Sequence, residues 1–349
     1  MKKNLRNVLA LALGLMTTVS FAQDWNVDSR TRIDMSGDGD EMSTDQRATV
    51  GATWGGSNWG IHVSSELNYT LGSESEGFHA DVYEAYASTD LMGFASLTAG
   101  RQALDYGSGA IMSSNQWGVD RTTWDGMTFG LNLDMADVTF GYASQSGASF
   151  DSTGARNMWL NAAKGDGDWT ANLLYTTTTV GSGDAMTAMG LDVTYNMMGG
   201  DLALDASYNT AKGWTGEDDE DMNSIGATYT VNENMSLNAS RTAYGDGGFD
   251  MAGTNMAGGW LGGGNMGYLG ANDEDMAIGV TYNMGDFTLS AAMHKIGNAN
   301  NDDYERNVMD VSLGYTMSDN ASLSYRMAQD NNGTDTDTKY NWITLTVTP

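Results

Sequence analysis

Apolar residues recur at alternate positions along almost the whole chain, and this period of two limits the fold more than any other feature. Examples are Ile61-Val63-Leu67-Tyr69-Leu71, Met127-Phe129-Leu131-Leu133, Leu202-Leu204-Ala206-Tyr208, Phe287-Leu289-Ala291-Met293 and Met309-Val311-Leu313-Tyr315, with Ser, Thr, Asn, Gly and Asp between them. Successive side chains of a strand point to opposite faces, so every such segment has one apolar and one polar face. No helical pattern interrupts the alternation after residue 23, and the chain is predicted to be all-β.

Two architectures bury such strands. A sandwich turns its polar faces outward to water, whereas a membrane barrel turns its apolar faces outward to lipid. A short phrase separates them: Leu191 to Tyr195, Ile225 to Tyr229, Ile278 to Tyr282 and Val311 to Tyr315 each end on a tyrosine just before a tight polar turn. That is the place of an interfacial girdle residue in a membrane barrel. With Cys 0 and Pro 1, something other than disulfides must close the fold. A closed sheet does so, because it pairs every backbone N–H and C=O and leaves no edge.

The connections alternate as the side chains do. Short turns are expected at 55–57, 90–93, 134–137, 165–168, 198–200, 232–234, 284–286 and 317–320. Longer acidic or Gly-rich loops are expected near 36–42, 72–77, 103–124, 146–154, 179–184, 212–219, 244–272, 297–305 and 330–336. Together these imply a closed antiparallel transmembrane β-barrel of about eighteen strands, or sixteen if one hairpin merges, with both termini on the short-turn side.

Lys2, Lys3 and Arg6 precede an apolar run from Val8 to Met16 and a small-residue site at Ser20-Phe21-Ala22. Residues 1–22 therefore read as a secretory signal peptide and 23–349 as the barrel. Three of the 16 Lys and Arg lie in that leader, so 13 cations face 45 Asp and Glu in the remainder. A balance this acidic excludes nucleic acid as a partner.

Polar-face residues of a wide barrel line water, so charges there are candidate selectivity determinants. Counting residues up each strand puts Arg30, Arg32, Arg47, Arg326 and Lys339 at mid-depth on the first two and last two strands, which become neighbours on closure. Carboxylates arise elsewhere, at Glu66, Glu84, Asp192, Asp205 and Asp310. They either set a transverse field or pair with cations on neighbouring strands. The long third loop, 103–124, mixes apolar and charged residues too freely for a solvated cap. Folded inward, it places Asp105, Asp120 and Arg121 in the solute path.

Glu84-Ala85-Tyr86, Gly100-Arg101-Gln102 leading into Asp105-Tyr106-Gly107, and Asp120-Arg121-Thr122 followed by Trp124-Asp125-Gly126 resemble the alginate-export and related porin families of Gram-negative outer membranes. The resemblance implies an eighteen-stranded barrel with a charged, basic-rich constriction for carboxylate-bearing solutes. It adds Arg101 and Asp125 to the constriction residues. Strict alternation groups Arg101 with Leu97 and Ala99 on the lipid face, and a bulge near Gly100 would be needed to turn it inward.

The expected role is a porin in the bacterial outer membrane, giving small polar or charged solutes passive diffusion. Its surroundings would be lipid and lipopolysaccharide, and a homotrimer is the expected assembly. The alternative is a structural or adhesive barrel whose acidic loops and Gly-rich segment 244–272 make contacts. Catalysis is not expected: His62, His79 and His294 are scattered, Cys is absent, and neither an HExxH nor a GxSxG motif occurs. His294 near Ser290 has no third partner for a lipase. No cofactor is implied; Ca²⁺ held by acidic loop runs such as Asp38 to Glu41 is the one metal weighed, and none of those runs has the spacing of a defined calcium loop.

Overall fold

A computed structural model of the chain describes residues 24–36, 42–72, 79–116, 121–145, 155–214, 220–249, 251, 269–331, 333–334 and 337–348. Residues 1–22, the expected signal peptide, lie outside them. Eighteen strands form one sheet: β1 (Asp24–Asp34), β2 (Ser43–Gly55), β3 (Trp59–Thr70), β4 (His79–Leu91), β5 (Ala95–Gln102), β6 (Trp124–Leu133), β7 (Ala136–Gln145), β8 (Ala155–Asp166), β9 (Trp169–Val180), β10 (Met186–Met197), β11 (Leu202–Lys212), β12 (Glu220–Asn232), β13 (Met235–Tyr244), β14 (Asp273–Met284), β15 (Phe287–Asn298), β16 (Asn301–Ser318), β17 (Ala321–Asp330) and β18 (Thr338–Val347). Each pairs antiparallel with its sequence neighbours, and β1 pairs with β18, Arg30 opposite Thr346 and Asp34 opposite Trp342. The sheet is closed, and the strand number is eighteen rather than sixteen.

All eight short turns fall where the polar turn residues are, from Gly56–Asn58 to Asp319–Asn320. Glycines in the left-handed region serve several of them, as at Gly93, Gly167 and Gly285, where an L side chain would be strained. One predicted loop is corrected: 297–305 is mostly strand, since β15 runs to Asn298 and β16 starts at Asn301. The acidic residues Asp302, Asp303 and Glu305 read as loop because that hairpin projects beyond the apolar belt, where both faces accept polar side chains and the alternation fades.

The apolar face of every strand points outward. Tyr195, Tyr229, Tyr282 and Tyr315 are all exposed on it, close to the turn rim, and Tyr315 stacks on Phe287 with ring centroids 4.7 Å apart. The polar face encloses the lumen, and there a large buried apolar cluster lies under the loops. Ile111 and Met112 of the third loop and Phe249, Met251 and Leu269 from both ends of segment 244–272 pack against Trp159, Leu174, Met222, Ile296 and Trp342 of the inner wall.

Candidate functional site

The third loop joins β5 and β6, and its described residues, 103–116 and 121–123, fold into the lumen. Its first limb reaches β10 and β11: the Ser108 backbone N–H donates to Asp192 Oδ2 at 3.0 Å, and its hydroxyl lies 3.4 Å from that of Ser207. β10 stands nine strands from β1 in the closed order, which is halfway round an eighteen-stranded barrel. The limb therefore crosses to the far wall before the loop returns.

Its own bonds hold the loop's shape. Asp105 accepts from the Ser114 backbone N–H and from the Ser114 hydroxyl, both at 2.7 Å, and Tyr106 N–H donates to Met112 C=O at 3.2 Å. Trp159 of β8 donates its indole N–H to the Tyr106 hydroxyl at 3.2 Å. Burial raises the Tyr106 phenol above its ordinary value, with the indole bond pulling the other way, so this tyrosine stays neutral.

The second limb is pinned to the opposite wall by cations. Gln116 C=O accepts from Arg30 Nη1 at 3.0 Å and from Arg47 Nη1 at 2.9 Å; β1 and β2 place these two arginines directly opposite each other. Arg121 Nε is bonded to Glu66 Oε2 of β3, with its Nη2 donating to Thr49 Oγ1 at 2.7 Å and its Nη1 to Gln116 Oε1 at 3.2 Å. The Arg121 guanidinium also lies 3.4 Å above the Tyr83 ring centre. Tyr83 reaches the lumen through a bulge: Ser64 faces Glu84 and Ser65 faces Val82, so Tyr83 is the extra residue, and both it and Glu84 point inward. Glu84 accepts from the Ala103 backbone N–H at 3.0 Å, at the root of the loop.

Arg32 continues the row, buried on the lumenal face of β1 two residues from Arg30, and Arg326 on β17 completes it. Arg326 donates to both Asp310 oxygens at 2.8–3.1 Å, and its guanidinium carbon lies 5.7 Å from the Trp342 ring centre. The structure thus joins Arg30, Arg32, Arg47, Arg326 and Arg121 on one wall, with Glu66 and Asp310 as neighbouring counter-charges. Asp192 and Asp205 stand across the lumen on β10 and β11. Both readings of the carboxylates are realised, pairing at Glu66 and Asp310 and opposition at Asp192 and Asp205.

Three expected lumenal residues are corrected. The β4–β5 and β5–β6 registers run without a bulge past Gly100, so Arg101 stays with Leu97 and Ala99 on the outer face. Asp125 stands directly opposite it, and the two form a bidentate pair at 2.7 Å for each bond. Lys339 shares the parity of Ile343 and Leu345 and faces Gln329, so it too is outside. Nor is Lys339 at mid-depth, since it is the second residue of β18 beside the loop. Asp120 lies outside the described residues.

Gln116, Tyr83 and Thr49 are the partners that sequence reasoning missed. A backbone carbonyl acting as acceptor leaves no sequence signal, and a one-residue bulge in Asp81-Val82-Tyr83-Glu84 shows only as a broken alternation. The loop separates two cavities. One of about 520 Å³ lies on the turn side between Gly107, Ser108, Ala163, Asn172, Asp192 and Asp205. The other, of about 320 Å³, lies on the loop side and is lined by Met112, Trp124, Met186, Trp214 and Met251 together with Thr176 and Thr178.

No family model matches the chain, and no curated protein matches it in sequence. Solved structures do match. OccK5 (OpdH) of Pseudomonas aeruginosa aligns over 94% of this chain and 98% of that chain, with a TM-score of 0.74 and 14% identity. The outer membrane protein OpdK of P. aeruginosa aligns over 94% and 99%, with a TM-score of 0.71 and 12% identity. The chain has the fold of OpdK. Acinetobacter baumannii OccAB4 shares it as well, over 93% and 97% of the two chains at a TM-score of 0.66 and 13% identity. This is the eighteen-stranded class that the motif resemblance implied, and the match extends through the whole barrel although so little sequence is shared.

Proposed function

We propose that the barrel is an outer-membrane porin through which small, carboxylate-bearing solutes diffuse passively, with the arginine wall orienting their anionic ends. The carrying observation is the convergence of Arg30, Arg32, Arg47, Arg121 and Arg326 on one side of the passage at the level where the third loop narrows it. Guanidiniums suit this task because they stay charged and present several donors in a plane that matches a carboxylate. Asp192 and Asp205 on the far wall repel the same solute toward the arginines, and the field is strongest where the loop excludes water. A structure of OpdK contains vanillate, an aromatic carboxylate, which agrees with this solute class. The chemistry is that of a channel: charged groups lower the cost of entry, and no nucleophile or general base is needed.

The reversal potential across a salt gradient tests the reading. Arg30→Ala combined with Arg326→Ala is expected to shift it toward a more cation-selective value, and carboxylate flux into liposomes should fall with it. An unchanged potential would remove the arginine wall from the mechanism. A structural or adhesive barrel would instead be silent in planar bilayers when well folded. The belt is apolar all round, and cross-linking of detergent-solubilised protein tests the expected homotrimer.

A further inference from the structure

Alternation divides the described Lys and Arg into two sets. Arg30, Arg32, Arg47, Arg121, Arg306 and Arg326 face the lumen. The outer face carries Arg101, Arg156, Lys212, Arg241, Lys295 and Lys339 toward the loop rim, on β5, β8, β11, β13, β15 and β18, with Lys164 alone toward the turn rim, donating to the carbonyl of Asp134 there. Each of the six stands just beyond the last outward apolar side chain of its strand. Arg101 follows Ala99, Arg156 precedes Met158, Arg241 follows Ala239 and Lys295 follows Met293, all by two positions; Lys212 lies four beyond Tyr208, and Lys339 four before Ile343.

We infer that this collar is a binding surface for the phosphorylated headgroups of the glycolipid in the outer leaflet. The inference rests on the barrel being an outer-membrane protein and not on what passes through it. A chain of net charge −29 with acidic loops is repelled by an anionic leaflet, and cations at the line of contact offset that repulsion where charge attraction to a membrane surface is felt. Long basic side chains suit this depth, since their methylene stems lie along the apolar belt while the charged ends reach the headgroups. Three of the six already have a carboxylate partner on the outer face, Lys295 with Glu305 at 3.4 Å and two arginines. Arg101 is held by Asp125 and by Val82 C=O at 3.0 Å, and Arg241 by Glu274 at 2.7–2.8 Å and by Asn223 at 3.0 Å. A guanidinium has five N–H donors, so each keeps donors for a phosphate after these bonds. The one-sided distribution is what an asymmetric bilayer requires; a belt made only for solubility or for neutral lipid would carry cations at both rims.

The full-length mature protein, released from nanodiscs of phosphatidylcholine with or without a bis-phosphorylated glucosamine glycolipid, can be examined by native mass spectrometry. Wild type is expected to retain the phosphorylated lipid in preference to phosphatidylcholine, and Arg156→Gln with Lys212→Gln and Lys339→Gln to retain it roughly tenfold less. Lys212→Arg with Lys339→Arg should keep wild-type retention, showing that charge and not the identity of the side chain matters. Equal retention of both lipids by wild type, or retention unchanged in the triple variant, would overturn the inference. So would retention lost on adding EDTA, which would mean bridging by divalent ions, or retention abolished by millimolar inorganic phosphate, which would mean an unspecific anion site. These side chains do not line the lumen, so the triple variant should conduct as wild type does. A failed lipid test leaves the transport reading standing, and a failed reversal-potential test leaves this one standing.

Discussion

Arg121→Met is expected to free the second limb of the third loop and raise the single-channel conductance severalfold. The Arg121 and Glu66 side chains are only 5% and 6% exposed, and the guanidinium also bonds Thr49 and Gln116 and lies over Tyr83. Removing one partner of a buried pair leaves the other uncompensated, at about 3–5 kcal/mol. That cost falls on a loop and not on the sheet, because the strands keep their ladder bonds whatever the loop does. The barrel should therefore stay folded while the loop moves, and limited proteolysis within 103–123 should accelerate. Glu66→Gln should act in the same direction. The double variant should cost less than the sum of the two, since the residues share one interaction. Wild-type conductance together with wild-type protease resistance in Arg121→Met would show that the pin does not hold the loop.

The second large effect concerns folding. Gly100 and Gly126 face each other at the root of the third loop. A Cβ on Gly126 would lie 1.9 Å from Tyr142 O and 2.6 Å from Ala143 Cα. One on Gly100, whose φ is +133°, would lie 2.1 Å from Ala85 O and 2.7 Å from Tyr86 Cα. All four obstacles are backbone, so no rotamer change relieves them, and four consecutive strands from β4 to β7 would have to separate. Overpacking costs about 1–3 kcal/mol per site, and at Gly100 the backbone conformation adds about 1–3 kcal/mol more. Gly100→Ala and Gly126→Ala are expected to yield little barrel on refolding into detergent, read as loss of the compact, heat-modifiable band on gels, with Gly100→Ala the worse. Gly130→Ala is the control, because its Cβ would meet only the Ser96 hydroxyl at 2.7 Å, which can rotate away. Equal folding of all three variants would refute the close-approach argument.

The architecture was legible because a membrane barrel writes one rule on every strand. Lipid accepts only apolar side chains, so each membrane crossing must alternate, and each reversal of direction needs turn residues; hence the eight turns could be counted from the chain and the strand number narrowed to sixteen or eighteen. Where that rule lapses, legibility lapses too. Beyond the belt at Asn298–Glu305 both faces meet water, so strand read as loop. At Tyr83 one inserted residue turns a side chain inward at a place where an aromatic residue suggests lipid.

The candidate site was partly legible for the same reason. Arg30, Arg32, Arg47 and Arg326 were placed on one wall by counting along the strands and by knowing that the first and last strands must meet in a closed sheet. Lys339 was misassigned because counting along the strand ignored its parity with Ile343, and Arg101 because the motif resemblance was followed against its parity with Leu97.

By itself the sequence determined the closed sheet, its short turns, the lipid-facing and water-facing sides, and the neighbourhood of the arginines, since each follows from a period of two repeated between turns. Only the tertiary structure decided how the third loop crosses the lumen, that a single carbonyl at Gln116 gathers Arg30 and Arg47, and that Tyr83 turns inward to meet Arg121. Those contacts join residues far apart in the chain through space enclosed by the finished barrel, and no local pattern encodes a distance across it.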